Sequence, residues 1–489
     1  MPNNISQFQE LKRIAAEVMN DRGLTPVFSA AALKQADAIQ QASAETGPTI
    51  RDLRSLLWSS IDNDDSRDLD QIEFAETLVD GSIRVLVGIA DVDCLVKPGT
   101  PIDDHARMNT TSVYTVAQIF PMLPEKLSTN LTSLSEDQER LSMVMEMTVT
   151  SDGILRQSDI YRARVVNRAK LAYRGVAAWL DGTGPAPARI ASVAGLDAQI
   201  RIQDKVAQTL KAQRHQHGAL NLETLEARAV FDGDLLVDLQ PNPKNRAQEL
   251  IEDLMIAANG VAARFLESKG LPSLRRILRT PKRWDAIVAL AKGFGDKLPP
   301  TPDASALDAF LSRRRQSDPQ RFADLSLSVI KLLGSGEYVF ERPGQTGEGH
   351  FGLAARDYTH STAPNRRFPD VITQRLLKAA LLSQPAPYSN VELQSLADHC
   401  TEQEDNATKV ERQVKKSAAA MLLGSRIGQD FDAIVTGASD KGTWVRISGP
   451  IAEGRLVKDF QGLDIGNRIK VKLLHTDMER GFIDFARVS

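Results

Sequence analysis

The segment from Asp62 to Asp70 constrains the fold of this chain most strongly, because it places five carboxylates within nine residues. Like charges at this spacing repel one another and raise one another's pKa values. Such a cluster is therefore stable either as a turn that water solvates or as a site that binds a cation. Hard divalent cations prefer carboxylate oxygens as ligands, so the second interpretation is a metal site.

The spacing of these acids partly fits a calcium loop, but two features argue against one. The sixth position of such a loop needs glycine for its sharp turn, and here it is Arg67. A calcium loop also needs a helix on each side. Residues 72–89 instead show β-branched alternation around Asp80-Gly81, which is a hairpin signal. The sequence therefore predicts strands after the acidic segment.

A catalytic magnesium site is the metal site that remains. Asp68 and Asp70 are two residues apart, so an extended chain projects both to one side, and Asp62 can fold back to meet them. Magnesium keeps several waters and takes only a few protein carboxylates. Two such ions about 4 Å apart can activate water and stabilise a leaving oxygen in phosphodiester cleavage. Asp70 is the first choice as the essential ligand, with Asp62 and Asp68 completing the site.

The stretch from Ile61-Asp62 to Asp68-Leu69-Asp70 resembles the signature of the ribonuclease II/ribonuclease R (RNB) exoribonucleases, an isoleucine-aspartate pair followed by Asp-x-Asp-Asp. Further matches follow in the order of that family, so that the resemblance covers about residues 55–415. They are Val87-Gly88-Ile89-Ala90-Asp91-Val92, residues 98–99, 111–114 and 122–128, His217-Gly218-Ala219-Leu220, residues 250–259, His350-Phe351-Gly352-Leu353 and residues 358–375.

This resemblance implies a magnesium-dependent 3′-to-5′ exoribonuclease that hydrolyses single-stranded RNA to nucleoside 5′-monophosphates. It implies a monomer that threads RNA down a narrow channel and needs no nucleotide cofactor. One departure concerns the last aspartate of Asp-x-Asp-Asp, which is Gln71 here. An amide offers an oxygen without charge, so the second of two Mg²⁺ ions is expected to bind more weakly. The alternative is a catalytically weak RNA-binding protein that retains the RNB scaffold.

Arg366 follows Thr362-Ala363-Pro364-Asn365, where the family pattern resembles Thr-Ser-Pro-Ile-Arg-Arg-Tyr, and it matches the first arginine of that pattern. A planar guanidinium can bind two phosphate oxygens as charge develops during cleavage. The resemblance therefore assigns Arg366 to catalysis and RNA binding. The alternative is a buried ion pair with Asp370 or another acid, a part that suits Arg367 better.

Two further residues are predicted to contact RNA. By resemblance, Tyr114 stacks on the 3′-terminal base, and aromatic stacking tolerates any base sequence. Without the surrounding match, a lone tyrosine is more often a packing residue. Glu411 matches a family glutamate that lines the RNA channel. It could equally be an exposed helix residue paired with neighbouring lysines.

The predicted fold class is α+β with three domains. Residues 1–50 are predicted to be helical, either as a helix-turn-helix or winged-helix unit or as a helical brace on the main domain. Family members usually open with two cold-shock barrels, for which this chain has no room before residue 50. Residues 51–425 form a mixed α/β RNB catalytic domain. Residues 426–489 contain short strands punctuated by glycines, which fits a five-stranded OB-fold barrel. The pattern Asp440-Lys441-Gly442 before Trp444-Val445 resembles an S1 RNA-binding domain.

Composition limits the compartment and the partners. The two cysteines, Cys94 and Cys400, suit a reducing compartment. No leader-like segment opens the chain and no apolar run reaches membrane-spanning length, so a cytoplasmic protein without a membrane partner is expected. A net charge of −3 means that RNA must be held by a local basic lining. No P-loop or Gly-x-Ser-x-Gly elbow is present, which leaves ATP-driven and acyl-transfer chemistry without support.

Overall fold

The computed structural model describes residues 6–223, 226–345, 347–439 and 442–488. Asp440 and Lys441, which belong to the S1 pattern, lie outside the described residues. The strands are β1 (Ile50–Asp52), β2 (Trp58–Asp62), β3 (Gln71–Thr77), β4 (Ile83–Ala90), β5 (Val113–Tyr114), β6 (Ile119–Phe120), β7 (Glu139–Val149), β8 (Leu155–Ala172), β9 (Glu226–Asp232), β10 (Leu235–Asn242), β11 (Ser273–Ile277), β12 (Glu337–Glu341), β13 (Asp430–Ser439), β14 (Gly442–Ser448), β15 (Ile451–Lys458), β16 (Arg468–Asp477) and β17 (Phe482–Val488). The helices are α1 (Gln7–Asp21), α2 (Ala30–Ala38), α3 (Pro101–Asn109), α4 (Tyr173–Leu180), α5 (Ala188–Ser192), α6 (Leu196–Gln216), α7 (Arg246–Ser268), α8 (Trp284–Gly293), α9 (Ala304–Ser317), α10 (Pro319–Leu333), α11 (Phe368–Leu381) and α12 (Asn390–Leu423).

A six-stranded sheet of order β1-β8-β2-β3-β4-β7 lies at the centre of the large domain, and the long strand β8 also pairs with β7. The strands predicted after the acidic segment are confirmed, because β3 and β4 pair antiparallel from Gln71↔Ile89 to Thr77↔Ile83. Side chains alternate between the two faces of a strand. In β4, Val87 joins the large core under the helices, and Leu86 joins the core on the opposite face. Both faces of this sheet are therefore covered.

The long helices cover one face of this sheet, and the sequence predicts most of α7 but only the second part of α12. Apolar spacing predicts a helix over 249–269, and α7 spans Arg246–Ser268 with a capping box between Asn245 and Gln248. The same spacing predicts a helix over 404–424. It is the carboxyl half of α12, which extends over 34 residues. The polar sequence Thr401-Glu402-Gln403-Glu404 lies near the middle of α12. It interrupts the apolar spacing, so the sequence does not indicate that the helix begins before residue 404.

The two N-terminal helices pack on the large domain. The apolar face of α1, with Ile14 and Val18, lies in one cluster with Val113 and Phe120 of the β5–β6 hairpin and with Val410 of α12. Helix α2 begins after Ser29, whose Oγ accepts a hydrogen bond from the Ala32 N–H at 3.2 Å, and it packs against α3. This packing fits the brace interpretation. The domain boundaries at residues 50 and 425 stay predictions.

Strands β13 to β17 close into a five-stranded barrel in the order β13-β14-β15-β17-β16. The predicted OB-type barrel is confirmed. Ala419 and Leu423 at the end of α12 enter the apolar core of the barrel together with Leu239 of β10. The last turns of α12 therefore fasten the barrel to the large domain. Among the described helices, none is both long enough and apolar enough to span a membrane.

Candidate active site

Three segments that are far apart in sequence meet at the carboxyl end of β2. They are the acidic loop of residues 63–70, the loop of residues 359–367 before α11, and the β5–β6 hairpin. Asp70 Oδ1 accepts a hydrogen bond from the backbone N–H of Asn365 at 2.8 Å. The N–H of Ser112, beside the hairpin, donates to the carbonyl oxygen of Arg366 at 2.9 Å. These backbone contacts place the acidic loop, Arg366 and the hairpin in one site.

Asp70 is the most buried carboxylate of the acidic loop, with 2% of the residue exposed. The Nε atom of Arg366 lies 3.4 Å from Asp70 Oδ2. Burial raises the pKa of Asp70 to about 7, although Arg366 and the Asn365 N–H both act to lower it. The protein's own contacts therefore do not fully compensate the negative charge of this carboxylate.

Asp62 and Asp68 are half-buried beside Asp70, whereas Asp64 and Asp65 are exposed to solvent. Burial also raises the pKa values of Asp62 and Asp68 above the ordinary range, against the opposing charge of Arg366. One guanidinium thus acts on three carboxylates. The centre of the acidic segment is therefore a solvated turn, and its two ends are the parts that approach Arg366.

The donor set fits magnesium. Within the parts of the chain that the structure describes, no group of three or more His, Cys, Asp or Glu side chains is arranged to hold a metal ion. Magnesium does not require such a group, because it keeps several waters and binds through one or two carboxylates plus substrate phosphates. Asp62, Asp68 and Asp70 offer hard oxygen donors whose charge Arg366 alone does not balance. These three residues are the ones that would hold the ion.

The two neighbouring arginines have different environments. Arg367 Nε and Nη2 donate to the two carboxylate oxygens of Asp370, both at 2.8 Å. The predicted structural ion pair thus belongs to Arg367. The side chain of Arg366 is 45% exposed and borders Asp70. It is therefore the guanidinium that a phosphate could reach.

Tyr114 and Glu411 meet at the rim of this site. The Tyr114 hydroxyl lies 3.5 Å from Asp68 Oδ2, and the residue is 40% exposed. Its backbone N–H donates to Glu411 Oε1 at 2.9 Å. Glu411 therefore fixes the hairpin that carries Tyr114, a contact that neither interpretation of Glu411 from sequence included. The roles of both residues towards RNA stay predictions.

From the sequence, Glu73 was considered only as the twelfth position of a calcium loop and was given no part in a magnesium site. It lies on β3, three residues after Asp70, and is completely buried. Both faces of β3 and β4 carry apolar residues, such as Ile72 on one face and Val87 on the other. This apolar pattern is the sequence signal that Glu73 is buried, because a glutamate on a strand with two apolar faces has no access to solvent.

Comparison with known proteins decides the family. Residues 50–383 match the RNB domain family. The chain belongs to the RNB family. Residues 429–488 match the family described as the RNase II-type exonuclease C-terminal S1 domain, which supports the S1 interpretation of the barrel. Ribonuclease R of Escherichia coli is 30% identical to this RNB-family chain over 480 residues, which are 90% of this chain and 57% of that protein. The chain thus spans little more than half the length of this curated relative.

Solved structures share the fold of this RNB-family chain. Mycoplasma genitalium RNase R in complex with ribose methylated single-stranded RNA superposes with a TM-score of 0.87 at 22% identity, covering 99% of this chain and 79% of that one. Yeast Ssd1, described as a pseudonuclease, superposes with a TM-score of 0.73 at 16% identity, covering 94% of this chain and 57% of that one. The fold therefore occurs in both a nuclease and a pseudonuclease, and the side chains of the site must distinguish them.

Proposed function

We propose that this RNB-family chain is a magnesium-dependent 3′-to-5′ exoribonuclease that hydrolyses single-stranded RNA to nucleoside 5′-monophosphates. The observation that carries the proposal is the pairing of buried Asp70 with partly exposed Arg366, with Asp62 and Asp68 beside them. A pseudonuclease has no need to keep a buried carboxylate beside a guanidinium that faces solvent. The family match and the ribonuclease R relatives support the same activity.

Each residue of the site has a distinct part in this reaction. Asp62, Asp68 and Asp70 would hold Mg²⁺, and the ion would supply Lewis acidity for the activation of water and the stabilisation of a leaving oxygen. Arg366 binds the phosphate oxygens, where negative charge develops. Tyr114 stacks on the terminal base.

The remaining parts of the chain guide RNA towards this site. Helix α12 carries Lys409, Arg412, Lys415 and Lys416 around Glu411, and its end enters the barrel. It is therefore a local basic surface between the hairpin and the barrel, as a chain with a net charge of −3 requires. The complex of Mycoplasma RNase R with single-stranded RNA supports RNA as the partner. We further propose a cytoplasmic monomer, in keeping with two cysteines that form no disulfide.

The test is the degradation of 5′-labelled single-stranded RNA with Mg²⁺ and then with EDTA, for the wild type and Asp70→Asn. The variant keeps an oxygen that can accept the Asn365 N–H but removes the ligand charge. We expect Asp70→Asn to abolish degradation and to leave RNA binding nearly intact. Residual activity above about a tenth of the wild type, a barrier change below ~1.4 kcal/mol, would contradict the assignment of Asp70.

Asp65→Asn is the matched control, because Asp65 is an exposed acid of the same loop, and it should retain wild-type activity. The alternative function, a catalytically weak RNA-binding protein, predicts a different result. In that case the wild type binds RNA but yields no shortened products at any Mg²⁺ concentration.

A further inference from the structure

The carboxylate of Glu73 is buried without any compensating contact. None of the residue is exposed, and neither Oε1 nor Oε2 has a hydrogen-bond partner among the described residues. Burial raises its pKa well above the ordinary range and the charge of Asp62 raises it further, with no cationic side chain of the described chain acting against them. A buried carboxylate without a partner is costly. A bound cation would compensate the charge of this carboxylate.

Two further orphaned oxygens neighbour Glu73. Ser59 of β2 is its direct partner in the β2–β3 register, and Ser59 Oγ is buried without a hydrogen bond to any described residue. Gln203 of α6 donates from Nε2 to the carbonyl oxygen of Glu73 at 3.3 Å, which leaves its own Oε1 buried and without a partner in the described chain. A serine on β2, a glutamate on β3 and a glutamine on α6 thus each have buried oxygens without a hydrogen-bond partner among the described residues. Oxygen atoms of this kind are what a hard cation binds.

Asp62 and Gln71 connect this cluster to the candidate active site. Asp62 ends β2, three residues after Ser59, which is the register partner of Glu73. The hydroxyl of Tyr173, the first residue of α4, has its pKa raised by burial and then by the charges of both Asp62 and Glu73. Gln71 and Glu73 are two residues apart on β3, so their side chains leave the same face of the strand. Gln71 stands where the family signature has its last aspartate.

We propose that Glu73 supplies the carboxylate that Gln71 lacks, and that Glu73 and Asp62 together bind a second divalent cation. The inference rests on the proposed function, because it completes the metal site of the same reaction. The carboxylate of Glu73 lies two residues after residue 71 on the same face of the strand, and its side chain is one methylene group longer than that of aspartate. Ser59 and Gln203 are the neutral oxygens available to this cation.

The experiment counts bound Mn²⁺ by electron paramagnetic resonance and measures the shift of the melting temperature with Mg²⁺, in the full chain. We expect two bound Mn²⁺ in the wild type and one in Glu73→Gln. Without metal, Glu73→Gln should melt above the wild type, because it removes a buried ionisable group. On addition of Mg²⁺, its gain in melting temperature should be smaller than that of the wild type.

A rescue variant distinguishes a ligand from a packing residue. The double variant Gln71→Asp/Glu73→Gln returns the carboxylate to residue 71, and we expect it to bind two Mn²⁺ again. Asp65→Asn, which removes an exposed acid, should behave like the wild type. Equal Mn²⁺ stoichiometry and affinity in the wild type and Glu73→Gln would overturn the inference.

The same titration separates this inference from the proposed function. If Asp70→Asn loses an ion while Glu73→Gln loses none, Glu73 is a buried neutral acid and the proposed magnesium site stands. If neither substitution changes the binding of Mn²⁺, the metal site of the proposed function fails as well.

Discussion

At the scale of single residues, Tyr114 joins the hairpin to the acidic site. Its hydroxyl lies 3.5 Å from Asp68 Oδ2, and its N–H is held by Glu411. The residue is nevertheless 40% exposed, which a simple packing residue would not need to be. A surface that is free to stack and a backbone that is held in place are what base stacking at a fixed distance from the carboxylates requires.

We predict that Tyr114→Ala shifts the point at which degradation stops. The substitution loses roughly 1–3 kcal/mol of stacking at the terminal base, while the rest of the chain still holds a long strand. Longer end products should accumulate as short RNA dissociates. Tyr114→Phe keeps the ring, loses only the contact to Asp68 and should preserve the product length. The measurement compares the final product ladders of the three proteins on one labelled poly(A) substrate. Identical ladders for the wild type and Tyr114→Ala would mean that Tyr114 is a packing residue and does not stack on the terminal base.

At the scale of elements, α1 supports the hairpin that carries Tyr114. Ile14 and Val18 of α1 share an apolar cluster with Val113 and Phe120 of the hairpin, and Ile14 is only 1% exposed. The short strands β5 and β6 pair through two residues each. A two-stranded hairpin of this size is marginal without packing against another element. By packing on the hairpin, helix α1 therefore contributes to the position of Tyr114 as well as to the stability of the protein.

We predict that Ile14→Ala destabilises the protein by ~2–5 kcal/mol, the usual cost of a large-to-small change in a core. We also expect it to lengthen the end products in the same direction as Tyr114→Ala, because the hairpin loses support. Urea unfolding measures the first effect and product ladders the second. Glu17→Ala changes an exposed residue of the same helix and should leave both unchanged. A destabilised Ile14→Ala protein with a wild-type ladder would limit α1 to a role in stability.

At the scale of the whole molecule, buried Arg375 of α11 ties distant parts of the large domain together. Its Nε donates to Asp93 Oδ1 at 2.9 Å, and its Nη2 donates to Asp103 Oδ1 of α3 at 2.7 Å. Its Nη1 donates to the Tyr388 hydroxyl, just before α12, at 2.8 Å. Because α11 directly follows the loop of Asn365 and Arg366, this network also anchors one wall of the site.

We predict that Arg375→Met lowers the free energy of unfolding by ~3–5 kcal/mol, since it leaves buried carboxylates without their partner. The comparison is Arg313→Met, which removes a surface pair with Asp296 that is worth ~0–1 kcal/mol. Urea unfolding at neutral pH should show a lower midpoint with an unchanged slope for Arg375→Met. A loss as small as that of the control would mean that other contacts, such as Lys378 with Asp93, hold the network.

Several features of this chain depend only on local pattern and on the order of motifs, and these could be predicted without the structure. Alternation after the acidic segment predicted β3 and β4, apolar spacing predicted α7 and the carboxyl half of α12, and glycine-punctuated strands predicted the barrel. Each of these follows from a periodicity of two or 3.6 residues that neighbouring residues display without knowledge of the fold. The ordered motifs likewise determined the family and a short set of candidate site residues.

Which of these candidate site residues contact one another depends on the packing of the folded chain. The N–H of Asn365 holds Asp70 from 295 positions away, and Glu411 holds the N–H of Tyr114 from 297 positions away. Adjacent arginines separate into an exposed Arg366 and a paired Arg367 because the loop before α11 turns one of them towards Asp370. The apolar faces of β3 and β4 indicate that Glu73 is buried, but only the packing of α6 shows which polar side chain lies beside it. Long-range pairing arises from the packing of whole elements, and no local pattern encodes it.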